Sequence, residues 1–358
     1  MGTPRICVIL GTRPEIIKMS PILRLLRERG ADHFTLHTGQ HYSHNMDDVF
    51  FQQLHLDQPK HNLHVGSGTH GEETGKMLQG IEKVLMEEKP DVVLVEGDTN
   101  TVLAGALAAA KLHIKVGHVE AGLRSFDMSM PEEVNRIVAD HVSDLLFAPT
   151  KVSKKNLLQE GIEDARVHVT GNTIVDAVQQ NLRLAETAEL PEGLALDRYF
   201  LATLHRQENV DDPARLKSLM DALARLHETF ETTIIYLVHP RARKRLRDYG
   251  FDASQGVMLA DPVDYFTFLR LERNADLILT DSGGVQEEAC ILRVPCLTLR
   301  DNTERQETVD VGANEVAGTD PETVVRLAKE AVRNKRTWKN PYGDGKASER
   351  ICNLIEIK

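Results

Sequence analysis

Three acidic side chains in the first half of the chain could perform acid–base chemistry on a bound substrate. They are Asp98 in a Gly-Asp-Thr motif, Glu120 in a His-Val-Glu-Ala-Gly-Leu-Arg motif, and Glu132 in a Pro-Glu-Glu-Val-Asn-Arg motif. Alternatively, Asp98 caps a helix that begins at Asn100, and Glu133 is an ordinary first-turn glutamate. Glu120 ends an apolar run, where a carboxylate is desolvated unless it is used or paired. We expect three separate loops to deliver these carboxylates to one edge of a sheet.

Two further segments could bind an anion. The first apolar run ends in a Gly-Thr-Arg-Pro-Glu motif with Arg13, followed by Lys18, so that a guanidinium, an ammonium and helix-end N–H groups surround one point. The alternative is a tight turn with solvated basic side chains. The segment has no Gly-x-Gly-x-x-Gly pattern, which argues against an NAD-dependent dehydrogenase.

The second anion segment is the glycine turn Thr-Asp-Ser-Gly-Gly-Val-Gln-Glu-Glu at 280–288. Gly283 and Gly284 allow close approach of a pyrophosphate, Ser282 can donate its hydroxyl, and Glu288 could accept the hydroxyls of a ribose. The alternative is that Ser282 only caps the helix. Upstream, Phe268 is a candidate for stacking on a base, although aromatic residues at this spacing are more often core.

A histidine and a polar loop complete the candidates. His205 follows an apolar strand and brings an imidazole close to a guanidinium and a carboxylate, while the loop at 300–307, which includes Arg305, could bind a sugar or its phosphate. Six other histidines form no known metal-binding pattern, so we assign no metal. They are His37, His41, His44, His61, His64 and His70.

Short β-rich runs alternate with helical-period segments, which predicts parallel sheets with functional residues beyond the carboxyl ends of the strands. The predicted strands are 5–10, 34–38, 91–95, 115–119, 145–148, 167–170, 199–204, 233–238, 257–260, 276–280 and 296–299. The predicted helices are 15–29, 100–111, 173–188, 213–228, 241–248, 284–292 and 321–335. The looser segment 189–197 separates two halves with the same rhythm.

The composition agrees with two soluble α/β domains. The chain has 358 residues, 41% of them hydrophobic, and no apolar run approaches the roughly 20 residues that span a bilayer. A net charge of -11 disfavours nucleic-acid and membrane partners, so an anionic ligand requires a local basic site. Four cysteines without Cys-x-x-Cys spacing predict neither disulfides nor zinc. Without a secretory signal pattern, a cytoplasmic location is expected.

Together, the motifs resemble those of the non-hydrolysing UDP-N-acetylglucosamine 2-epimerases. They are GTRPE at 11–15 with Lys18, GDT at 97–99, HVEAGLRS at 118–125, PEEVNR at 131–136, HRQEN at 205–209, DSGGVQEEA at 281–289, RDNTERQE at 300–307 and NPYGDGKAS at 340–348. The resemblance implies two Rossmann-like doubly wound domains facing across a cleft, as in GT-B proteins, and a homodimer. The expected domains are 1–170 with a returning helix at about 346–358, and 171–345.

The resemblance also implies the chemistry, which is reversible epimerisation of UDP-N-acetylglucosamine to UDP-N-acetylmannosamine for polysaccharide biosynthesis. UDP is eliminated to give 2-acetamidoglucal and is then re-added, without a cofactor or metal. The matching catalytic positions are Asp98, Glu120, Glu132 and His205. The matching substrate and UDP positions are Arg13, Lys18, Arg136, Phe268, Ser282, Gly283, Gly284, Glu288 and Arg305.

Three alternative functions remain open at the level of sequence. A GT-B glycosyltransferase would share the nucleotide site but has less use for three clustered acids. A non-catalytic sugar-nucleotide sensor gains nothing from carboxylates near a diphosphate. A 2-epimerase of a UDP-2,3-diacetamido uronic acid would share every motif, because these residues are expected to contact the nucleotide and the C1–C2 region of the sugar and not its C3 and C6 substituents.

The sequence departs from the pattern of bacterial family members that a second UDP-N-acetylglucosamine activates. After Gln40-His41 the glutamine-rich continuation is missing, and the loop at 66–71 lacks the arginine of those members. We therefore expect this allosteric requirement to be absent or altered. Progress curves that start from pure UDP-N-acetylmannosamine should show no long lag, and a lag abolished by traces of the glucosamine epimer would contradict this expectation.

Overall fold

The computed structural model describes residues 4–39, 50–191, 194, 198–252, 254–333 and 336–356. The chain divides into two compact units, Met1–Gln179 with Tyr342–Lys358, and Gln180–Pro341. The first is called the N-terminal unit below and the second the C-terminal unit. The division falls inside a helix that begins at Thr173, whereas the sequence-based boundary was placed at residue 170.

The N-terminal unit alternates strands and helices along the chain. Its strands are β1 (Ile6–Leu10), β2 (His33–His37), β3 (His61–Asn62), β4 (Val92–Glu96), β5 (Lys115–Val119), β6 (Leu145–Ala148) and β7 (Val167–Val169). Its helices up to the division are α1 (Arg13–Glu28), α2 (His70–Glu88), α3 (Asn100–Lys111), α4 (Pro131–Val142), α5 (Lys151–Gln159) and α6 (Thr173–Thr187), which continues into the C-terminal unit. The strands pair in parallel in the order β3-β2-β1-β4-β5-β6-β7.

The C-terminal unit repeats this arrangement. Its strands are β8 (Tyr199–Leu204), β9 (Thr233–Val238), β10 (Val257–Ala260), β11 (Leu277–Thr280), β12 (Cys296–Thr298) and β13 (Asn314–Val316). Its helices are α7 (Gln207–Val210), α8 (Pro213–Phe230), α9 (Pro240–Asp248), α10 (Tyr265–Asn274), α11 (Gly283–Leu292), α12 (Gln306–Asp310) and α13 (Pro321–Arg333). The strands pair in parallel in the order β10-β9-β8-β11-β12-β13.

Both strand orders reverse direction next to the first strand of the unit, at β1/β4 and at β8/β11. This is the doubly wound order, in which ligands bind beyond the carboxyl ends of the strands at the reversal. The predicted α/β class with two Rossmann-like domains is confirmed. The edge strands β3 (His-Asn) and β13 (Asn-Glu-Val) were missed because they are short and mostly polar, so they carry no apolar pattern.

Buried apolar residues cover both faces of the C-terminal sheet, as a parallel sheet requires. Along β8, Phe200 and Ala202 belong to one core cluster, while Tyr199 and Leu201 belong to another. Successive side chains therefore enter opposite layers, with α8, α9 and α13 on one face and α10 and α11 on the other. This rigid packing fixes where each strand ends, and hence where the polar loops begin.

After the C-terminal unit the chain returns to the N-terminal unit and forms α14 (Ala347–Glu356). Asp176, which is 1% exposed at the start of α6, accepts hydrogen bonds from the Ser348 amide at 2.9 Å, the Ser348 hydroxyl at 2.6 Å and the Ala347 amide at 3.2 Å. The Asn172 amide donates to the Tyr342 carbonyl at 2.8 Å. One buried carboxylate thus caps α14 and ties it to the unit.

Replacing Asp176 with alanine should destabilise the N-terminal unit, because three buried donors lose their acceptor. We expect the free energy of unfolding to fall by about 3 kcal/mol. The control is Asp221→Ala, which removes only an exposed ion pair with Lys217 and should cost less than about 1 kcal/mol. Thermal melting of both variants checks this, and equal melting temperatures would show that Asp176 does not stabilise the unit.

Candidate active site

The acidic residues of the N-terminal unit gather at the carboxyl edge of its sheet. Glu96 is the last residue of β4, Asp98 follows two residues later, and Glu120 follows the last residue of β5. Strands β1, β4 and β5 are neighbours, so the segments that follow them emerge side by side. The predicted convergence of acids from β4 and β5 on one edge agrees with this geometry.

Lys18 links two of these acids. Its ammonium hydrogen-bonds to the Glu120 carboxylate and lies 3.3 Å from Glu96 Oε1. All three side chains are at most 8% exposed. Asn172 donates a second hydrogen bond to Glu120, at 3.0 Å. One cation therefore serves two buried carboxylates, and Lys18 is engaged within the unit.

Glu15, in the Gly-Thr-Arg-Pro-Glu motif, is also buried at this edge. It accepts hydrogen bonds from the Gly11 and Thr12 amides and from the Thr99 hydroxyl. Burial raises the pKa of Glu15 to about 7, although these three donors favour the charged form. Arg13, which begins α1, is half-buried and lies over the Phe50 ring at 5.5 Å.

The pKa of Glu96 is raised well above its usual range, first by burial and then by the nearby charges of Glu120, Glu15 and Asp98, against the opposing charge of Lys18. Closely spaced carboxyl groups cannot all ionise in a buried site. Both Glu15 and Glu96 at this edge of the sheet therefore have raised pKa values. Such a cluster can both take and give protons, which is what acid–base catalysis requires.

The third acidic motif lies in helix α4, whereas the sequence analysis expected a loop. The Pro-Glu-Glu-Val-Asn-Arg motif forms the first turns of α4, with Pro131 at its start, and is not a loop. Proline is favoured there because the first helical N–H has no intrahelical partner. Arg136 hydrogen-bonds to Asp98, and its other terminal nitrogen lies 2.5 Å from Glu133. The alternative that Asp98 caps α3 is wrong, since Thr99 is the cap.

The two glutamates of this motif differ in environment. Glu133 is 1% exposed and accepts hydrogen bonds from the Ser125 amide and hydroxyl and from the Phe126 amide, which fixes the loop after β5. Glu132 is half-buried in the same turn. Glu133 is thus committed to structure, and Glu132 is the more accessible acid.

A buried network supports the loop that carries Glu120. His118 Nδ1 lies 2.7 Å from Asp140 Oδ1, and its Nε2 lies 2.8 Å from the Gly97 carbonyl. Both neighbours are acceptors, so both ring nitrogens carry a proton. Burial opposes this charge, but Asp140 outweighs it and raises the pKa of His118. Arg124 also pairs with Asp140, at 2.7 Å.

The backbone of Glu120 itself is unusual. Its φ of +69° lies in the left-handed region, which costs free energy for a residue with a side chain. The surrounding network must hold this conformation, because a relaxed loop would turn the carboxylate away from Lys18. Strain of this kind is typical of residues that a site needs in one orientation.

In the C-terminal unit, Asp281 organises the segment after β8. It is fully buried and accepts hydrogen bonds from the His205 and Arg206 amides and from Asn209. His205 Nδ1 lies 3.0 Å from Asp281 Oδ1. Burial by itself would raise the pKa of Asp281, but the bonds from His205 and its neighbours outweigh it and hold the pKa below its usual range. The charged carboxylate thus orients the imidazole.

At the glycine turn, the first N–H groups of α11 receive no hydrogen bond from the Ser282 side chain. Ser282 stands at the N-cap with extended backbone but makes no side-chain capping bond, so the alternative of a simple serine cap is wrong. The first N–H groups of a helix have no intrahelical acceptors, and its dipole favours an anion there. A Cβ on Gly283 would lie 2.6 Å from Glu304 Oε1, whereas one on Gly284 would meet little.

The remaining predicted nucleotide residues lie around this turn. Glu288 is 6% exposed on α11, and Phe268 is half-buried on α10 against the core. Arg305 is 5% exposed, and its Nε lies 2.9 Å from Glu287 Oε1. Ser282, Gly283, Gly284, Glu288 and Arg305 are therefore grouped on α11 and the loop that packs on it.

Among the described residues, no group of three or more histidine, cysteine or acidic side chains is placed to hold a metal ion. His41, His44 and the segment that begins at Gln40 lie outside the described residues. No helix in the described ranges is long and apolar enough to cross a membrane.

Three residues that the sequence analysis did not select are central to these sites. Glu15 and Glu96 join the acid cluster, and Asp281 fixes His205. A signal existed for Glu96, since it ends the otherwise apolar run Val-Val-Leu-Val-Glu just before the Gly-Asp-Thr motif. The roles of Glu15 and Asp281 depend on partners up to 84 residues away in the chain, which no local pattern indicates.

The sequence matches a known family over most of its length. The model of the family described as UDP-N-acetylglucosamine 2-epimerase matches residues 24–356. A UDP-N-acetylglucosamine 2-epimerase of Methanocaldococcus jannaschii is 56% identical over 360 residues, which cover 98% of each chain. A UDP-2,3-diacetamido-2,3-dideoxy-D-glucuronate 2-epimerase of Pseudomonas aeruginosa is 43% identical and covers 98% of this chain and 99% of that protein.

The fold matches that of a solved structure over nearly the whole chain. The crystal structure of the M. jannaschii UDP-GlcNAc 2-epimerase in complex with UDP-GlcNAc and UDP has a TM-score of 0.92 to this chain at 55% identity. The match covers 98% of this chain and 99% of that chain. The GT-B-like fold class is confirmed.

Replacing Asp140 with asparagine should disturb the Glu120 loop, because His118 and Arg124 lose a buried negative charge. We expect a destabilisation of about 3–5 kcal/mol and a lower pKa of His118, readable by histidine NMR titration. The matched control is Asp164→Asn, which removes an exposed ion pair with Lys154 and should cost less than about 1 kcal/mol. An unchanged His118 titration would show that Asp140 does not hold the imidazolium.

Proposed function

The chain belongs to the UDP-N-acetylglucosamine 2-epimerase family, and from this premise we propose that it interconverts UDP-N-acetylglucosamine and UDP-N-acetylmannosamine. The observation that carries the proposal is the cluster of buried carboxyl groups around Lys18 at the sheet edge of the N-terminal unit. A protein that only binds a negatively charged sugar nucleotide has no use for such a cluster. An enzyme that moves a proton at C2 needs one.

The reaction follows from the difficulty of removing a C2 proton that no carbonyl acidifies. The C1–O bond breaks first, the oxygen of UDP leaves with the electron pair, and C1 gains oxocarbenium character that nearby carboxylates stabilise. A base then takes the C2 proton, and 2-acetamidoglucal forms. UDP returns to C1 while an acid delivers a proton to the opposite face of C2, so atoms and charge balance without a redox cofactor.

Asp98, Glu120 and Glu132 supply the proton-transfer groups in this proposal. Inversion requires two acid–base groups on opposite faces, or one that moves, with different proton affinities. Glu120 accepts a hydrogen bond from Lys18 and Asp98 accepts one from Arg136, so the two carboxylates have different surroundings. The half-buried Glu132 provides a third group.

The C-terminal unit supplies the nucleotide contacts. The N-terminus of α11, with Ser282, Gly283 and Gly284, suits a diphosphate, and Glu288 suits the ribose hydroxyls. We assign Phe268 to the uracil. His205, oriented by the ionised Asp281, offsets the negative charge that develops on the leaving UDP.

We assign Arg13, Lys18, Arg136 and Arg305 to balancing the negative charge of the diphosphate and of the carboxylates. Lys18 and Arg136 pair with the carboxylates.

We further propose that the protein is a cytoplasmic homodimer whose product is a precursor of polysaccharides. The free, buried state of all four cysteines agrees with a reducing compartment.

A second candidate substrate is a UDP-2,3-diacetamido uronic acid, favoured by the 43% identity to the P. aeruginosa enzyme. The residues assigned above read the nucleotide and the C1–C2 region, which both substrates share. The higher identity to the M. jannaschii enzyme favours UDP-N-acetylglucosamine. Parallel assays with both sugar nucleotides decide between them.

Incubation with UDP-N-acetylglucosamine in deuterated water tests the reaction class. We expect NMR to show deuterium at C2 of both epimers without net loss of the UDP-sugar. Neither a glycosyltransferase nor a binding protein produces this result. Absence of deuterium at C2 after incubation would contradict the proposed reaction.

Asp98→Asn and Glu120→Gln should each lower kcat by about 10²- to 10⁴-fold, because each removes a proton-transfer group with little change in shape. Binding of UDP, most of whose contacts we assign to the C-terminal unit, should change far less. Asp221→Asn, at an exposed position on α8, serves as the control and should retain full activity. Rates measured by NMR and UDP affinities measured by calorimetry distinguish lost chemistry from lost binding.

A further inference from the structure

A buried amide connects the segment that carries His205 with the ends of two neighbouring strands. Asn209 lies in the short helix α7 and is fully buried. Its side-chain nitrogen donates to Asp281 Oδ2 at 3.1 Å, just after β11, and to the Leu299 carbonyl at 2.8 Å, just after β12. Its side-chain oxygen accepts hydrogen bonds from Nε and Nη2 of Arg215, at 3.3 and 3.2 Å. Both ends of the amide are therefore bonded.

The partners of Asn209 determine which way its amide points. A carboxylate and a carbonyl can only accept hydrogen bonds, and a guanidinium can only donate them. The nitrogen must therefore face Asp281 and the oxygen must face Arg215, since a reversed amide would lose all of these bonds. An ionised aspartate of the same shape has no donor, and leucine has neither a donor nor an acceptor. The position thus requires an amide.

This amide also determines which oxygen of Asp281 serves His205. Oδ2 accepts hydrogen bonds from Asn209 and from the Arg206 amide, both at 3.1 Å, whereas Oδ1 lies 3.0 Å from His205 Nδ1. Without the Asn209 donor, the carboxyl group can rotate about its Cβ–Cγ bond, and the imidazole loses a fixed acceptor. Burial raises the pKa of Asp281, but the bonds from His205, Arg206 and Asn209 together lower it below its usual range.

We propose that Asn209 is a positioning residue, which holds the Asp281 carboxylate so that His205 keeps one orientation towards the leaving UDP. The inference rests on the proposed function, in which His205 offsets the charge of that leaving group. Because Asn209 is fully buried, it acts through its neighbours and not by contact with the substrate. A displaced imidazole stabilises the transition state less well, while the other nucleotide contacts stay in place. The chemical step is therefore affected more than substrate binding.

The first test is the Asn209→Ala variant, assayed by NMR for interconversion of UDP-N-acetylglucosamine and UDP-N-acetylmannosamine. We expect kcat to fall by about 10- to 100-fold, with KM within about threefold of the wild type. The matched control is Asn274→Ala, which removes an exposed amide that donates to the Arg270 carbonyl at 2.8 Å in the same unit. This control should retain full activity. An unchanged kcat of Asn209→Ala would overturn the proposal.

A double-mutant cycle separates the positioning of His205 from a general loss of structure. His205→Asn removes the imidazole, so the orientation of the imidazole no longer matters. In this background, Asn209→Ala should lower kcat by less than about twofold. A merely structural role would lower kcat by the same factor in both backgrounds, and that result would contradict the inference.

Arg215→Met is the second variant, since it applies even if Asn209→Ala does not fold. It keeps the buried amide but removes the donor that fixes the orientation of the amide, and Arg215 itself is only half-buried. We expect kcat to fall by about three- to tenfold in the wild-type background and by less than about twofold together with His205→Asn. Equal factors in the two backgrounds would again rule out the positioning role.

A measurement without substrate separates failure of this inference from failure of the proposed function. NMR of the histidine ring nitrogens, with His205 assigned by its absence in His205→Asn, should show the proton of the neutral ring on Nδ1 in the wild type. Asn209→Ala and Arg215→Met should show a mixture of the two tautomers, and unchanged ring signals in both would overturn the proposal. A wild type that converts no UDP-sugar contradicts the proposed function, while the ring signals still decide the role of Asn209.

Discussion

The Lys18 ammonium between the buried carboxylates of Glu96 and Glu120 is the interaction on which the N-terminal site depends. Removing one partner of such a group leaves a buried charge uncompensated, at a cost of about 3–5 kcal/mol. The arrangement requires α1 to begin directly after β1, and β4 and β5 to end beside it. It also requires the left-handed backbone of Glu120, which the His118–Asp140–Arg124 network holds in place. Fold and chemistry are therefore specified by the same few contacts.

The C-terminal unit has the same strand order, but its charged and polar groups are arranged differently at the ends of the strands. Its buried acid Asp281 is ionised and serves as an acceptor for the loop after β8, while the start of α11 keeps its N–H groups free of a side-chain cap. In the N-terminal unit, the start of α1 is instead satisfied by Glu15. One doubly wound framework thus carries a cluster of buried carboxyl groups in one unit and a helix start without a side-chain cap in the other.

The sequence predicted the strands of both sheets well wherever an apolar run of four or more residues was present, because burial on both faces leaves a continuous apolar signal. It predicted the acids after β4 and β5 for the same reason. It assigned Lys18 and Arg136 to an anion, whereas the structure pairs both with carboxylates, since charge alone does not reveal the partner. It placed 131–136 in a loop because a proline at the start of a helix looks like a break. The buried contact between Glu15 and Thr99 joins distant segments, which only the folded chain brings together.

The return of residues 342–356 to the N-terminal unit has a consequence for biosynthesis. The carboxyl group of Asp176 receives its donors from Ala347 and Ser348, which the ribosome adds only after the whole C-terminal unit. During translation the N-terminal unit therefore emerges with an open flank, while the C-terminal unit, Gln180–Pro341, is a continuous stretch that can fold without it. A chain that ends before residue 342 would lack the donors of Asp176, so the first unit stays incomplete until the last residues of the chain have been added.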